Sequence, residues 1–428
     1  MKKIFWNAII ILNFYLVLYF WFTNSNYLII GNKPGDFFIA LGRLAGLLSE
    51  FLILIQLLLI SRFSAIEKEY GFDKLANLHK KIGLFLGIFI ISHPVLLVIG
   101  YAKSNNIGFF KQLVNFQTSW NCVFFATIAF IIIILVSLTS VKKVREKISY
   151  EFWYFIHLPL YIAVTIAFAH QVNTGDMSAG GAMFYWYLLN SLVLGVLIIY
   201  RFLKPALLFL KHSFVIEKII KENNNVYSVY ITGKNMNGYG FYSGQYTTLI
   251  FMQKGMWFHH PFSFSDSYNG KNLRFTIKAS GDFTSKIENL KIGTRVWIDG
   301  PLGIFTLKNS INEKYLFIAG GIGITPILSI IKSMKDKRNA ILLYSNKTES
   351  EINFKNEIME SKIEIHYFNT EFDRNNRIDI QKIIDLCPDY MYRDLYICGP
   401  AQMTLNLVKS LRSIGVTSEQ IHFEKFTY

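Results

Sequence analysis

Residues 75–99, LANLHKKIGLFLGIFIISHPVLLVI, form a hydrophobic run long enough to cross a bilayer, with His79 near one end and His93 fourteen residues later. At ~1.5 Å of rise per helical residue, that spacing is ~21 Å, which sets one imidazole near each face of the hydrocarbon core. A second run, Phe152 to His170, repeats the arrangement with His157 and His170, thirteen residues apart. At ~100° per residue these two fall about 140° apart on an ideal helix, so this helix must be distorted. Pro159 lies between them and supplies the cause.

A single histidine in an apolar helix is more often an interhelical hydrogen-bond partner than a ligand. Four of the nine histidines set out as two matched pairs point to ligation, because ionisable side chains inside a membrane are rare and functional. Two helices with two histidines each are the minimum needed to hold two stacked haems, every iron clamped between one imidazole from each helix. The metal-ligand candidates are therefore His79, His93, His157 and His170.

The chain has 428 residues, 52% hydrophobic and 16% aromatic, which is too apolar for an ordinary soluble protein and too long for one small domain. Its net charge of +15 sits in short basic clusters beside the apolar runs, a placement that favours a membrane over a nucleic acid as partner. Cys122, Cys387 and Cys398 are scattered without ligand spacing, so neither a disulfide framework nor an iron–sulfur cluster is indicated. No small-residue cleavage site follows the N-terminal apolar run, so it reads as a retained first helix.

Six apolar runs precede residue 204: Ile4 to Phe20, Phe37 to Ile60, Leu75 to Ile99, Cys122 to Leu138, Phe152 to Phe168 and Met183 to Phe202. The connections after the second, fourth and sixth are basic, so the positive-inside rule predicts a multi-pass cell-membrane protein with both termini cytoplasmic. His79 and His157 then serve an inner haem, and His93 and His170 an outer one. Arg43 on the second run lies near the outer face, where a buried guanidinium needs an anion. A haem propionate or a developing superoxide would fill that need, and snorkelling to the headgroups is the alternative.

Past residue 211 short β-branched segments (SFVIEKII, VYSVYITG, QYTTLIF, LRFTIKA, RVWIDG) alternate with turns, the pattern of a small antiparallel barrel. From Tyr315 apolar strands alternate with helical stretches, which predicts a doubly wound parallel sheet. The predicted domains are a membrane bundle over 1–210, a flavin-type barrel over 211–310 and an α/β nucleotide-binding domain over 311–428. Within the last, Ala319-Gly320-Gly321-Ile322-Gly323-Ile324-Thr325-Pro326 follows a strand and opens a helix, letting backbone amides approach a pyrophosphate. Cys398-Gly399-Pro400 ends a strand of the same sheet.

Together the motifs HPFSF (260–264), SGDFT (280–284), GPLG (300–303), AGGIGITP and CGP resemble the ferredoxin–NADP reductase superfamily over residues 212–428. HPFSF points to its ferric reductase and NADPH oxidase branch, and the whole chain is similar to bacterial NADPH oxidases of that branch. The resemblance implies that His260, Pro261, Phe262 and Ser263 border an FAD and that Gly281 and Thr284 approach its phosphates. It implies a linking turn at Gly300, Pro301 and Gly303, and a nicotinamide nucleotide site lined by Gly321, Gly323, Thr325, Cys398, Gly399 and Pro400. Phe426 in the terminal IHFEKFTY is the expected ring over the isoalloxazine, with Tyr428 competing. Ser345 and Lys347 follow a strand end with no acid before Glu349, which favours NADPH.

The activity so implied carries electrons from NADPH through FAD and two b-type haems to oxygen outside, giving superoxide, with Arg43 assisting. The alternatives are extracellular ferric-chelate reduction and, behind it, donation to an extracytoplasmic protein. Animal oxidases of the family carry a further histidine one turn beyond the outer ligand on the third helix, where this chain has Leu97. No regulatory extension is visible, so the sequence predicts activity without an obligatory protein partner.

Overall fold

Runs of leucine, isoleucine and phenylalanine with few charged interruptions form, among the described residues, six helices long and apolar enough to span a membrane. The computed structural model describes residues 2–120, 122–172, 174–371 and 376–426. It divides into two units, one up to Phe202 and one from Leu203.

In the first unit the spans begin with helices Lys2–Ile29, Asp36–Ile60, Phe72–Asn105 and Val123–Ser140. The third runs well past the predicted end at Ile99, stopping where Asn106 turns left-handed and its N–H caps the carbonyls of Ala102 and Lys103. The fifth span is broken as its proline requires. Tyr150–His157, capped by Ser149 Oγ on the Phe152 N–H, gives way at Leu158 to a new helix, Pro159–Gln171. The sixth, Gly180–Leu197, passes into a π-helical stretch, Ile198–Leu203, just ahead of Pro205. Two shorter helices, Ser64–Tyr70 and Phe109–Ser119, were not foreseen from the apolar runs.

The second helix is the most buried of the six and touches the first, third and sixth. It approaches the third closely because small residues line the crossing: a Cβ on Gly42 would lie 2.8 Å from the Leu97 side chain, and one on Gly100 would lie 2.6 Å from Ile39.

The second unit begins with a barrel of two three-stranded antiparallel sheets. One has the order β1 (Val215–Asn223), β2 (Val226–Thr232), β5 (Leu273–Lys278); the other has β4 (His260–Ser263), β3 (Tyr246–Phe251), β6 (Val296–Leu302). Bridges Val215–Arg295 and Phe264–Phe275 join the sheets around a core of Phe214, Phe251, Phe264 and Phe275.

Five parallel strands follow: β7 (Tyr315–Gly320), β8 (Ala340–Asn346), β9 (Glu364–Asn369), β10 (Asp394–Pro400) and β11 (Ile421–Phe426). Their spatial order is β11-β10-β7-β8-β9, so the winding reverses between β7 and β10. Separate apolar cores on the two faces are those of a doubly wound sheet, with β7, β8 and β10 almost wholly buried. The chain is thus a multidomain membrane protein: six apolar helices, an antiparallel flavin-type barrel and an α/β nucleotide-binding domain.

Candidate functional site

The third helix and the broken fifth span bring the four membrane histidines together in two pairs. The His79 and His157 rings have centroids 6.4 Å apart, and those of His93 and His170 are 6.3 Å apart. His93 Nδ1 lies 2.8 Å from the Gly42 carbonyl and His79 Nδ1 lies 3.3 Å from that of Gln56, both on the second helix. Gln56 Nε2 donates in return to the His79 carbonyl. His170 Nδ1 bonds to the Ala167 carbonyl one turn earlier, and His157 Nδ1 is buried with no hydrogen-bond partner among the described residues. Where Nδ1–H donates to a carbonyl, Nε2 is left as the free lone pair. Among the described residues no group of three or more His, Cys, Asp or Glu gathers, so what the bundle offers is pairs of imidazoles.

Arg43 has a counter-ion that the sequence did not single out. Its Nη1 lies 2.9 Å from Asp176 Oδ1, and Asp176 also accepts from Ser25 Oγ at 2.8 and 2.9 Å. The anion that a buried guanidinium requires is therefore supplied by the chain itself. Leu97 packs on Gly42, one turn from His93. Glu50, 3% exposed in the middle of the second helix, accepts from Gln171 Nε2, whose own carbonyl oxygen accepts from Trp186 Nε1. A lone acid in an apolar span was the available signal for Glu50.

In the barrel, β4 holds His260, Pro261, Phe262 and Ser263, with Ser263 paired to Tyr246 of β3. The SGDFT turn folds back on that strand: the Phe283 ring stacks on His260 at 3.8 Å between centroids. The Thr284 hydroxyl accepts from the N–H groups of Ser280 and Gly281, both at 3.0 Å, which tightens the turn. Gly303 has φ +94° and lies against the Tyr246 ring, with Glu424 of β11 close by. The linking turn thus joins the start of β3 to the end of the last strand.

The glycine-rich turn and the Cys-Gly-Pro segment meet at the carboxyl edge where the winding reverses. Gly321 has φ +55° in a short 3₁₀ turn before helix Ile324–Ser333, and its carbonyl accepts from the Tyr344 hydroxyl at 3.1 Å. Burial pushes the Tyr344 hydroxyl up to about 12, so it stays a neutral donor. A Cβ on Gly323 would collide with the Cys398 carbonyl, and one on Gly399 would lie 3.1 Å from Gly320. Thr325 is buried and bonds to the Ile322 carbonyl. Ser345 pairs with Gly320, while Lys347 is exposed two residues on. Such a crevice at a topological switch point is where open α/β sheets bind nucleotides. Phe426 pairs with Pro400 through the backbone; its side chain, and all of Tyr428, lie outside the described residues.

Comparison with known proteins finds family likeness in three stretches of the chain. Residues 45–168 match the ferric reductase like transmembrane component, residues 212–306 an FAD-binding domain and residues 317–409 the oxidoreductase NAD-binding domain. Flavohemoprotein A of Dictyostelium discoideum is 24% identical over 239 residues, covering 50% of this chain and 60% of its own. The reductase component of propane 2-monooxygenase from Rhodococcus jostii is 26% identical over 211 residues, 44% of this chain and 56% of its own. The chain thus spans little more than half the length of these relatives. Among solved structures, the flavohem-like FAD/NAD binding domain of nitric oxide dioxygenase from Vibrio cholerae aligns with a TM-score of 0.44 at 22% identity, over 50% of this chain and 97% of that one. The chain has a ferric reductase- and NADPH oxidase-like architecture, a ferric reductase like transmembrane component joined to FAD-binding and oxidoreductase NAD-binding domains.

Proposed function

We propose that this chain takes electrons from NADPH in the cytoplasm and delivers them across the membrane to oxygen outside, giving superoxide, with FAD and two b-type haems as its cofactors. The observation that carries the reading is the spacing of the histidine pairs. A metal held between two imidazoles would need their ring centres roughly 6 Å apart, since a metal–imidazole bond is about 2.0 Å. The 6.4 and 6.3 Å separations fit a metal between each pair. Two protein ligands complete a haem, whose ring supplies the other four, so paired rather than clustered histidines suit it.

When bound, FAD accepts two electrons as hydride and releases them singly, and haem carries one at a time. The protein's part is to hold and orient. His79 and His157 would hold the inner haem and His93 and His170 the outer, with the rings of His79, His93 and His170 oriented through Nδ1. His260, Pro261, Phe262 and Ser263, with Gly281 and Thr284, would border the flavin, and Phe426 would cover its ring. Gly321, Gly323, Thr325, Cys398, Gly399 and Pro400 would receive the nicotinamide nucleotide, with Ser345 and Lys347 toward an adenosine 2′-phosphate. Arg43, tied to Asp176 and one residue from the carbonyl that receives His93, would assist at the outer site through its hydrogen-bond donors. With a negative interior, each electron moved outward gains about 2.3 kcal/mol per 100 mV. We place the domain boundaries near residues 210 and 310, both termini in the cytoplasm, and no obligatory protein partner in the reaction.

The same donor path would serve an extracellular ferric chelate, and the match to a ferric reductase like component favours that as the second reading. Donation to an extracytoplasmic protein is a third. NADPH consumption by the purified protein with FAD, followed under air and under argon with and without ferric chelate, separates the readings. Oxygen-dependent turnover with dye reduction sensitive to superoxide dismutase is expected. Turnover under argon only with chelate, and little oxygen uptake, would replace oxidase by ferric reductase.

A further inference from the structure

We infer that Gly46 is the seat of the His93 ring, and that the second helix, which has no histidine, is the positioning element of that imidazole of the outer pair. The inference rests on His93 being a haem ligand, as proposed above.

The second and third helices run side by side in opposite senses: Gly42 meets His93 and Gln56 meets His79, an interval of fourteen residues on each helix. The two contacts are made differently. At the inner end His79 Nδ1 is 3.3 Å from the Gln56 carbonyl, and the Gln56 side chain reaches back to the His79 carbonyl at 3.0 Å. At the outer end the bond to Gly42 is 2.8 Å, and among the described residues no side chain assists it. The His93 ring instead lies over Gly46, one turn beyond Gly42. A Cβ at position 46 would stand 2.5 Å from Nδ1, 2.6 Å from Cε1 and 3.3 Å from Cγ.

These distances reach across the Nδ1 edge of the ring. Any side chain at 46 would drive Nδ1 off the Gly42 carbonyl or rotate the whole ring. A ligand imidazole that loses its Nδ1–H···O=C bond is a weaker donor to its metal, and second-shell hydrogen bonding is one of the levers on haem potential. Glycine at 42 is needed for a different reason, since its missing Cβ makes room for Leu97. Two glycines one turn apart thus serve the helix crossing and the ligand separately.

The test is a double-mutant cycle of Gly46→Ala and His93→Ala in the full-length protein, read by haem content, redox titration and Tm, with Gly87→Ala as control because nothing lies within 4 Å of that position. In the native background Gly46→Ala is expected to move the outer-haem midpoint potential to a more positive value, or to drop haem content toward one per chain, leaving the inner haem unchanged. In the His93→Ala background Gly46→Ala should change neither haem content nor Tm, because the ring it would strike is gone. If Gly46→Ala does not fold alone, folding of the double variant as well as His93→Ala supports the seat. Unchanged potential and haem content in Gly46→Ala, or the same Tm loss in both backgrounds, would assign Gly46 to helix packing and overturn it. Retention of both haems by His93→Ala would instead sink the ligand reading.

Discussion

Arg43 and Asp176, 133 residues apart in sequence, form a 2.9 Å ion pair in which the carboxylate side chain is 1% exposed. The pair ties the second helix to the loop before the sixth, with Ser25 of the first helix bonded to the same carboxylate. Removing one partner leaves a buried charge uncompensated, which costs on the order of 3–5 kcal/mol. Asp176→Ala should therefore lower Tm in detergent clearly, while Asp176→Asn, which keeps an acceptor for Ser25, should lower it less. Equal stability of both variants to the native protein would show the pair to be dispensable.

Substitution of either outer histidine should remove one haem. His93→Ala and His170→Ala are each expected to lose about half of the haem absorbance while NADPH still reduces the flavin. His157→Ala should do the same at the inner pair. Unchanged absorbance in these variants would overturn the ligand assignment.

Gly323 leaves no room for a side chain beside the Cys398 carbonyl. Gly323→Ala must push apart the two turns that meet at the switch point. KM for NADPH should rise about tenfold or more, equivalent to about 1.4 kcal/mol, with haem and flavin content unchanged. An unaltered KM would remove this crevice from nucleotide binding.

Lys347 is exposed just beyond β8, and Ser345 sits beside Gly320. Lys347→Glu puts a negative charge where an adenosine 2′-phosphate is expected. Steady-state kinetics should show kcat/KM falling for NADPH and holding or rising for NADH. A parallel fall for both nucleotides would argue against phosphate recognition here.

Glu357 links the nucleotide domain to the barrel, bonded to Arg274 at 2.8 Å and to Lys332 at 2.5 Å. Burial alone would raise its carboxyl, but the bonds from Arg274 and Lys332 outweigh that and hold it below the usual range. A depressed folded value means stability that is present above about pH 4.3, the ordinary glutamate value, and is lost as pH falls through the lower folded one. Glu357→Gln should therefore be less stable at neutral pH and lose less stability on acidification below that value. Parallel stability–pH curves for the two proteins would refute the linkage.

Periodicity and composition were enough for the six spans of this chain and for the classes of the two domains after them, though not for the short helices Ser64–Tyr70 and Phe109–Ser119. Apolar runs marked the six spans, because a helix crossing the hydrocarbon core needs about 20 predominantly apolar residues. Pro159 marked the break in the fifth, because a proline cannot donate its backbone hydrogen bond. The glycine-rich turn before Pro326 and the Cys-Gly-Pro segment announced a nucleotide crevice, and two histidines on each of two spans announced pairs.

Who partners whom was decided only by the tertiary structure. Nothing local to Arg43 names Asp176, and nothing local to Gly46 shows that its missing side chain makes room for His93. The stacking of Phe283 on His260, and the meeting of Gly303, Tyr246 and Glu424, are likewise products of chain reversal. Sequence alone determined which residues are apolar, charged or able to ligate, since those are properties of single side chains and their spacing. Second-layer contacts depend on distances between elements far apart in the chain, and only packing sets those distances.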